Sequence, residues 1–461
     1  MAELAAPSVQ PNSSKSKWRA WWSTARTSFL WMTTIAFALR FGYIVLHQTY
    51  KFKTLDNNFS FGFEMGRIGA AIATGHGFAD PFQGHTGPTA WEPPLYPYLI
   101  AGVFKIAGVY TPTSALILLS LNSLLSALTC IPLFLIARKC FSEKVAVGTA
   151  WLWALLPSVM YWCTRWVWET SLAALLLAVV FWLTLQMEES QGIKPWIVFG
   201  LLWGVAALTN TSLLSFLPAS GLWVLYRQHK SRKDRNVDQR FAPFAKPWRP
   251  LRLKAFTGPL SGAIVASIFF FATISPWLVR NYETFGKFIF IRSNFGAELR
   301  LGNGPFADAV WMQWLHPSQN IVEFRRYQQL GELEYVATRK REAMNFIRAS
   351  YPRFGWISIK RFIYYWGGLP RSSAIPALAP FKNSLFLASS ILALWGLARA
   401  LRKRQQAASL FLWLLLSYPT IYYFVFPHPR YRHPIEPELG ILIVYVLTEA
   451  EIRSLRRHKS A

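Results

Sequence analysis

Charge is scarce in this chain. Only 15% of its 461 residues are Asp, Glu, Lys or Arg, against about 25% in soluble domains, so water is the wrong solvent for most of its length. Acids are scarcer still: 22 Asp and Glu stand against 49 Lys and Arg, a formal net charge of +27. In a soluble protein that excess would point to nucleic acid. Here the basic residues sit in connectors between apolar runs, so no nucleic-acid partner is expected. Anionic membrane lipids and phosphate-bearing lipids are the expected partners. Cysteine is nearly absent. Cys130, Cys140 and Cys163 have neither disulfide-like nor metal-like spacing and read as small packing residues. The apolar runs lack the two-residue alternation of barrel strands, and no internal repeat is visible. Lys15, Lys17, Arg19 and Arg26 precede the first apolar run, but no small-residue cleavage site follows it, so it reads as a retained span.

What the chain has instead is 53% hydrophobic and 16% aromatic residues, gathered into runs long enough to cross a bilayer. Only helices or closed barrels satisfy their backbone in lipid, so the expected fold is an all-α integral membrane bundle with interfacial helices. About ten spans are expected, at Ser28 to His47, Ser114 to Ala137, Val145 to Tyr161, Trp168 to Met187, two short ones within Trp196 to Tyr226, Pro259 to Leu278, Ser384 to Leu397, Ser409 to Phe426 and Ile435 to Thr448. The short loops with Arg138 and Lys139, Arg227 to Lys254, Arg402 to Arg404 and the tail from Arg453 carry the positive charge. By the positive-inside rule they face the cytoplasm, with both termini. This predicts a cytoplasmic segment 1–27, a transmembrane catalytic core 28–279, an outer region 280–381 with a helical cap, C-terminal helices 382–450 and a tail 451–461, in the inner membrane of a bacterium.

The outer side then receives residues 49–113, residues 280–381 and the connector Pro427 to Pro434, and the candidate chemistry lies there. In Phe63-Glu64-Met65-Gly66-Arg67, small residues continue at helical spacing through Ala70 and Ala73 to a stop at Gly75 and Gly77. Glu64 stands at the start of that helix, where a carboxylate suits a proton acceptor, a divalent-cation ligand, or an ordinary pair with Arg67. Glu92, in Trp91-Glu92-Pro93-Pro94-Leu95-Tyr96-Pro97, reads as a second acid or as a solvated loop residue. Glu169 begins the fourth span. His76 and His85 form no close ligand pair on one helix face. Arg280 and Asn281, in Pro276-Trp277-Leu278-Val279-Arg280-Asn281-Tyr282, fit either a grip on a lipid phosphate or an interfacial anchor. The strongest phosphate signal is Pro427-His428-Pro429-Arg430-Tyr431-Arg432-His433-Pro434, a stiff cationic connector on the side where the orientation rule disfavours positive charge. The charges of Val322 to Gly367 read as the wet face of a cap.

These pieces, in this order, resemble the polyprenyl-phosphate-dependent glycosyltransferases of the GT-C fold, glycosyltransferase family 39, particularly bacterial relatives of the protein mannosyltransferases and aminoarabinose transferases. The resemblance runs over nearly the whole chain: the first-loop acid with Gly75-His76-Gly77-Phe78, Pro93-Pro94-Leu95-Tyr96-Pro97, Pro276 to Tyr282, and Arg430-Tyr431-Arg432-His433-Pro434. It implies that Glu64 occupies the family's catalytic acid position and that Arg430 and Arg432 lie near the lipid phosphate. Relatives often carry two adjacent acids in the first loop, whereas Phe63 precedes Glu64 and the nearest acid upstream is Asp56. The need for a divalent cation therefore stays open. The expected function is inverting transfer of a sugar from a polyprenyl-phosphate donor to a glycan, lipid or protein acceptor, with Glu64 as base and Arg430, Arg432, His433, Arg280, Asn281 and Glu92 binding substrate. The rival from another class is a flippase for lipid-linked sugars. A flippase would place ionisable groups mid-membrane and often repeats its halves, whereas here they gather at one surface.

Overall fold

The computed structural model describes residues 27–53, 58–190, 192–240, 258–370 and 378–460, and among them there are helices and one isolated β-bridge, Ala79 to Pro88, but no strand. The expected helical bundle is what forms. The N-terminal basic cluster, Asp56 and most of the basic 227–254 loop lie outside the described residues.

Among the described residues five helices are long and apolar enough to cross a bilayer: α1 (Phe29–Leu46), the continuous pair α4 (Pro112–Leu128) and α5 (Cys130–Cys140), α8 (Thr170–Met187), α11 (Pro259–Phe285) and α15 (Ala379–Arg402). The pair α6 (Glu143–Leu155) and α7 (Pro157–Arg165), bent by 47° at the break, is apolar enough to count as a sixth if taken as one span. Of the remaining expected spans, those at α9 (Lys194–Thr209) and at α16 (Ala408–Ser417) with α17 (Thr420–Phe424) are built from shorter apolar pieces, while α10 (Leu217–Arg240) and α19 (Glu436–Ser460) are long helices whose later turns carry charge. Local chemistry explains the shortening. Asn210 ends α9 in extended backbone and its side chain accepts from the Ser212 amide, starting a 3-10 turn. Pro419 divides α16 from α17.

Packing depends on small residues where helices touch. A Cβ added at Gly200 of α9 would sit 2.2 Å from the Ala266 carbonyl oxygen of α11, so only glycine lets these backbones meet. The α6/α7 break shows how a proline is accommodated. Pro157 has no N–H to give the Trp153 carbonyl four residues earlier. Arg40 of α1, wholly buried, supplies the donor: its Nη2 reaches Trp153 O at 2.9 Å and its Nη1 reaches Ala154 O at 3.0 Å, while Nε donates to Ser126 Oγ at 3.2 Å. This cation is matched by helix-end carbonyls, where the helix dipole is negative.

At one end of the bundle the short basic connectors converge. Glu189 faces Lys139 at 3.4 Å, Glu188 faces Arg227 at 2.5 Å and Gln406 at 3.3 Å, and Glu449 pairs with Lys403. The opposite end carries the two long segments, with α2 (Glu64–Ala73), α3 (Leu95–Ala107), α12 (Phe295–Gly302), α13 (Ile321–Ala349), α14 (Tyr351–Gly367) and α18 (Pro429–Arg432). α13 is kinked at Gly331, whose φ is +71°. The cap's charges depart from the expected wet face: Glu323, Glu332 and Arg339 are buried. Arg339 lies 3.3 Å from Glu323 and 3.1 Å from Glu342, which also holds Arg300 and Arg326. These pairs hold the two halves of α13 against each other and, through Arg300, against α12.

Candidate active site

The approach to Glu64 is built by close contact. Val167 N donates to Ser60 O at 2.9 Å, and a Cβ on Gly62 would fall 2.2 Å from Val167 O. Gly62 has φ +86°, and Phe63 follows at φ +49°, ψ −108°, a conformation costly for a residue with a bulky side chain. That corner starts α2 at Glu64, with Gly62 packed on Val167 and Trp168. Within α2 the small-residue face works as the spacing predicted: Gly69 lies against Ile100 and Pro97 of α3.

The first long loop is then pinned at three points. Asp80 accepts from the amides of Thr86 at 2.7 Å and Gly87 at 2.9 Å, and from His85 at 3.1 Å. Arg280, at the end of α11, donates to Thr89 O at 2.6 Å and Phe78 O at 2.8 Å. Glu332, just after the α13 kink, accepts from Ala90 N at 2.8 Å, Ser293 Oγ at 2.7 Å, Tyr327 Oη at 3.0 Å and the Thr89 hydroxyl. This one buried carboxylate joins the loop of residues 78–94, the segment that leads into α12, and the cap.

Those pins bring four carboxylates and two guanidiniums into one electrostatic neighbourhood. Burial, reinforced by Glu92 and Glu298, raises the Glu64 carboxyl to about 8, against the opposing pull of its own helix amide and Arg430. Burial also raises Glu92 to about 7, although Arg292 stands 3.8 Å away and opposes the shift. Glu298 of α12, which accepts from Asn294 Nδ2 at 3.3 Å, is likewise pushed up by burial and drawn down by Arg292 and Arg430. Glu169 accepts from Asn210 Nδ2 at 3.1 Å, while its Oε2 is buried without a partner. The Arg430 guanidinium stacks 3.4 Å above the Trp168 ring centroid. Arg430 and Arg292 each keep a buried Nε with no hydrogen-bond partner. Two planar donor forks beside protonatable acids and tryptophans can grip a phosphate, accept sugar hydroxyls and take up a proton.

The structure sorts the residues that the sequence singled out. Glu64, Glu92 and Arg430 meet in the cluster, and Glu169 joins them. Arg432 and His433 do not. Arg432 is buried, donating to Ser390 Oγ at 2.7 Å and Ser389 Oγ at 2.5 Å on α15, with Glu436 at 3.8 Å. His433 is wholly buried 3.0 Å from Glu436. Both tie the start of α19 to its neighbours. Arg280 and Asn281 are loop clasps: Asn281, also fully buried, reaches Ile289 O at 3.4 Å and Ile291 O at 3.3 Å. Sequence reasoning missed Arg292, Glu298 and His316, whose Nε2 lies 3.3 Å from Glu64 Oε1. His76 and His85 stack on each other with centroids 4.9 Å apart. Among the described residues no three His, Cys, Asp or Glu side chains converge to hold a metal ion. An open recess of about 650 Å³ on the cap, lined by Arg325, Arg326, Leu330 and Arg341 among others, shares no residue with the cluster.

Comparison with known proteins follows the same lines. Residues 91–237 match the sequence model of the dolichyl-phosphate-mannose-protein mannosyltransferase family. The apo oligosaccharyltransferase of Archaeoglobus fulgidus superposes with a TM-score of 0.51 at 13% identity, covering 94% of this chain and 52% of that one. The archaeal oligosaccharyltransferase AglB from the same organism, solved with an inhibitory peptide and a dolichol-phosphate, gives 0.44 at 13% identity, covering 86% and 47%. The chain spans about half the length of either. No curated protein matches it. The molecule is therefore a helical membrane protein of the GT-C fold that carries, over residues 91–237, the sequence pattern of the dolichyl-phosphate-mannose-protein mannosyltransferase family.

Proposed function

We propose that this protein is a glycosyltransferase that moves a sugar from a polyprenyl-phosphate donor to an acceptor on the outer face of a bacterial inner membrane, with both termini cytoplasmic. The observation that carries the reading is Glu64, a largely buried carboxyl raised to about 8 in the field of Arg430, with Arg292 facing the neighbouring Glu92, both guanidiniums keeping an unpartnered Nε. A base whose pKa lies near the working pH combines a useful ionised fraction with real proton affinity. The family match supports the donor class, since its name specifies a polyprenyl-phosphate sugar.

In this reading Arg430 and Arg292 hold the donor phosphate, and Arg432, His433, Arg280 and Asn281 hold the scaffold. Trp168 offers an aromatic face, and Glu92, Glu169 and Glu298 accept sugar hydroxyls. Glu64 takes the proton from an acceptor hydroxyl or amine. The freed lone pair attacks the anomeric carbon, the bond from that carbon to the phosphate oxygen breaks, and polyprenyl phosphate leaves with both electrons. Attack opposite the leaving group inverts the anomeric centre. The two guanidiniums neutralise the charge that develops on the phosphate.

The test is sugar transfer from labelled polyprenyl-phosphate donors in membranes bearing the wild-type protein or Glu64→Gln, with donor flipping followed in parallel. Removal of a general base costs about two to four orders of magnitude in rate, so transfer falls by that much while folding and donor binding persist. Flipping without transfer, equal in both proteins, would reverse the conclusion in favour of a flippase.

A further inference from the structure

His316 closes a 3-10 turn at Gln313–Leu315 and lies four residues before Asn320, which caps α13. Its backbone is fixed from both sides: His316 N donates to Gln313 O at 3.0 Å, and the amides of Gln319 and Asn320 donate to His316 O at 2.9 and 3.1 Å. The ring is buried in an aromatic box, with centroids 5.7 Å from Phe82, 5.9 Å from Trp311, 6.3 Å from Trp91 and 6.4 Å from Phe63. Such packing leaves the imidazole one orientation.

The backbone also selects the tautomer. Two groups of Ser318 meet His316 Nδ1, its hydroxyl, which can donate or accept, and at 3.3 Å its amide, and a backbone N–H can only donate. Nδ1 is therefore an acceptor, and in the neutral ring the proton resides on Nε2. Burial keeps the ring neutral, lowering its pKa to about 3. The atom 3.3 Å from Glu64 Oε1 is thus an N–H, within reach of the carboxylate and poorly aligned with it, as catalytic contacts in substrate-free enzymes often are. The other charged groups around Glu64 are Glu92 from the first loop, Glu298 from α12, Arg430 from α18 and Arg67 from α2 itself. His316 alone among these neighbours is a neutral donor fixed by the backbone.

We propose that His316 is a positioning residue, whose Nε2–H, 3.3 Å from Glu64 Oε1, aligns on the Glu64 carboxylate when substrate binds and sets the orientation from which it takes the acceptor's proton. This rests on Glu64 being the base. It assigns to the cap segment a direct part in setting the base, through a residue 252 positions away in sequence.

The measurement is the pH dependence of kcat/KM for donor transfer by the full-length protein, with Glu64 labelling by a water-soluble carbodiimide read in parallel by peptide mass spectrometry. A hydrogen bond to the charged form lowers a carboxyl pKa, so His316→Leu moves the acidic limb, and the labelling midpoint with it, upward by about one pH unit. His316→Gln, whose amide N–H can replace Nε2–H, keeps both near the wild-type value, and donor KM is unchanged in each. A uniform loss of rate in His316→Leu with limb and midpoint unmoved would show a packing role only and overturn the proposal, as would His316→Gln behaving like His316→Leu. If His316→Leu does not fold, the labelling midpoint of His316→Met decides in the same way. Failure of the base itself looks different: Glu64→Gln would keep the wild-type rate and limb whatever the His316 variants do.

Discussion

The Glu332 carboxylate gives the sharpest quantitative expectation. Its Oε1 accepts from Ala90 N and Ser293 Oγ, and its Oε2 accepts from Tyr327 Oη and the Thr89 hydroxyl. Glu332→Ala strands four donors in a region closed to water. A lone unsatisfied buried group costs about 1–3 kcal/mol, and the hydroxyls can turn toward other acceptors whereas the amide cannot. The net cost is about 4 kcal/mol, or about a thousandfold in the local opening constant. Glu332→Gln should be far milder. Its carbonyl oxygen can serve Ala90 N and Ser293 Oγ while its amide faces the two hydroxyls, each of which can reverse and accept, so the loss is only about 1 kcal/mol. The assay is hydrogen exchange in detergent over residues 78–94 and 289–295, with transfer measured on the same preparations. Glu332→Ala should accelerate exchange in both segments together and depress transfer, because those segments carry Glu92 and Arg292. Equal damage from Gln and Ala, or acceleration in one segment alone, would refute the view that this side chain couples them.

Arg430→Lys should raise the donor KM by about 10- to 100-fold, the value of a planar, stacked donor fork against a point charge, and donor titration of the rate measures it; an unchanged KM would remove Arg430 from the phosphate site. Arg280→Gln should lower kcat by about tenfold through loss of loop placement with little change in donor KM; a KM rise with constant kcat would instead return Arg280 to the phosphate-binding role first read from its sequence position.

The helices were legible because apolar runs and their Pro and Asn breaks are local facts, and Asn210 and Pro419 end helices through their own side chains. Glu64 and Glu92 were legible as rare acids near a helix start and a proline pair. Arg430 and Arg432 looked equivalent in sequence and are not. Two residues apart on a helical turn, they point about 200° apart, so one reaches Trp168 and the other the serines of α15. Arg292, Glu298 and His316 left no local signal. Their approach to Glu64 and Glu92 depends on long-range docking by Glu332 and Arg280, with partners more than 190 residues apart for the Thr89 contacts. A pattern that requires a folded loop cannot be read before the loop is folded. Gly296 was a partial clue: its hydrogen side chain lets α12 lie on Val336 of the cap, where a Cβ would come within 2.4 Å of the carbonyl.

Arg40 bears on how the protein is made. An arginine inside a membrane helix costs about 2.5–3.5 kcal/mol at insertion when unmatched, and α1 is synthesised before α6. The carbonyls that match this cation belong to Trp153 and Ala154, 113 and 114 residues further along the chain. The first helix therefore reaches its final seat only once α6 has been synthesised and has bent at Pro157. The proline break thus acts as a clasp on α1 supplied from more than a hundred residues further along the chain.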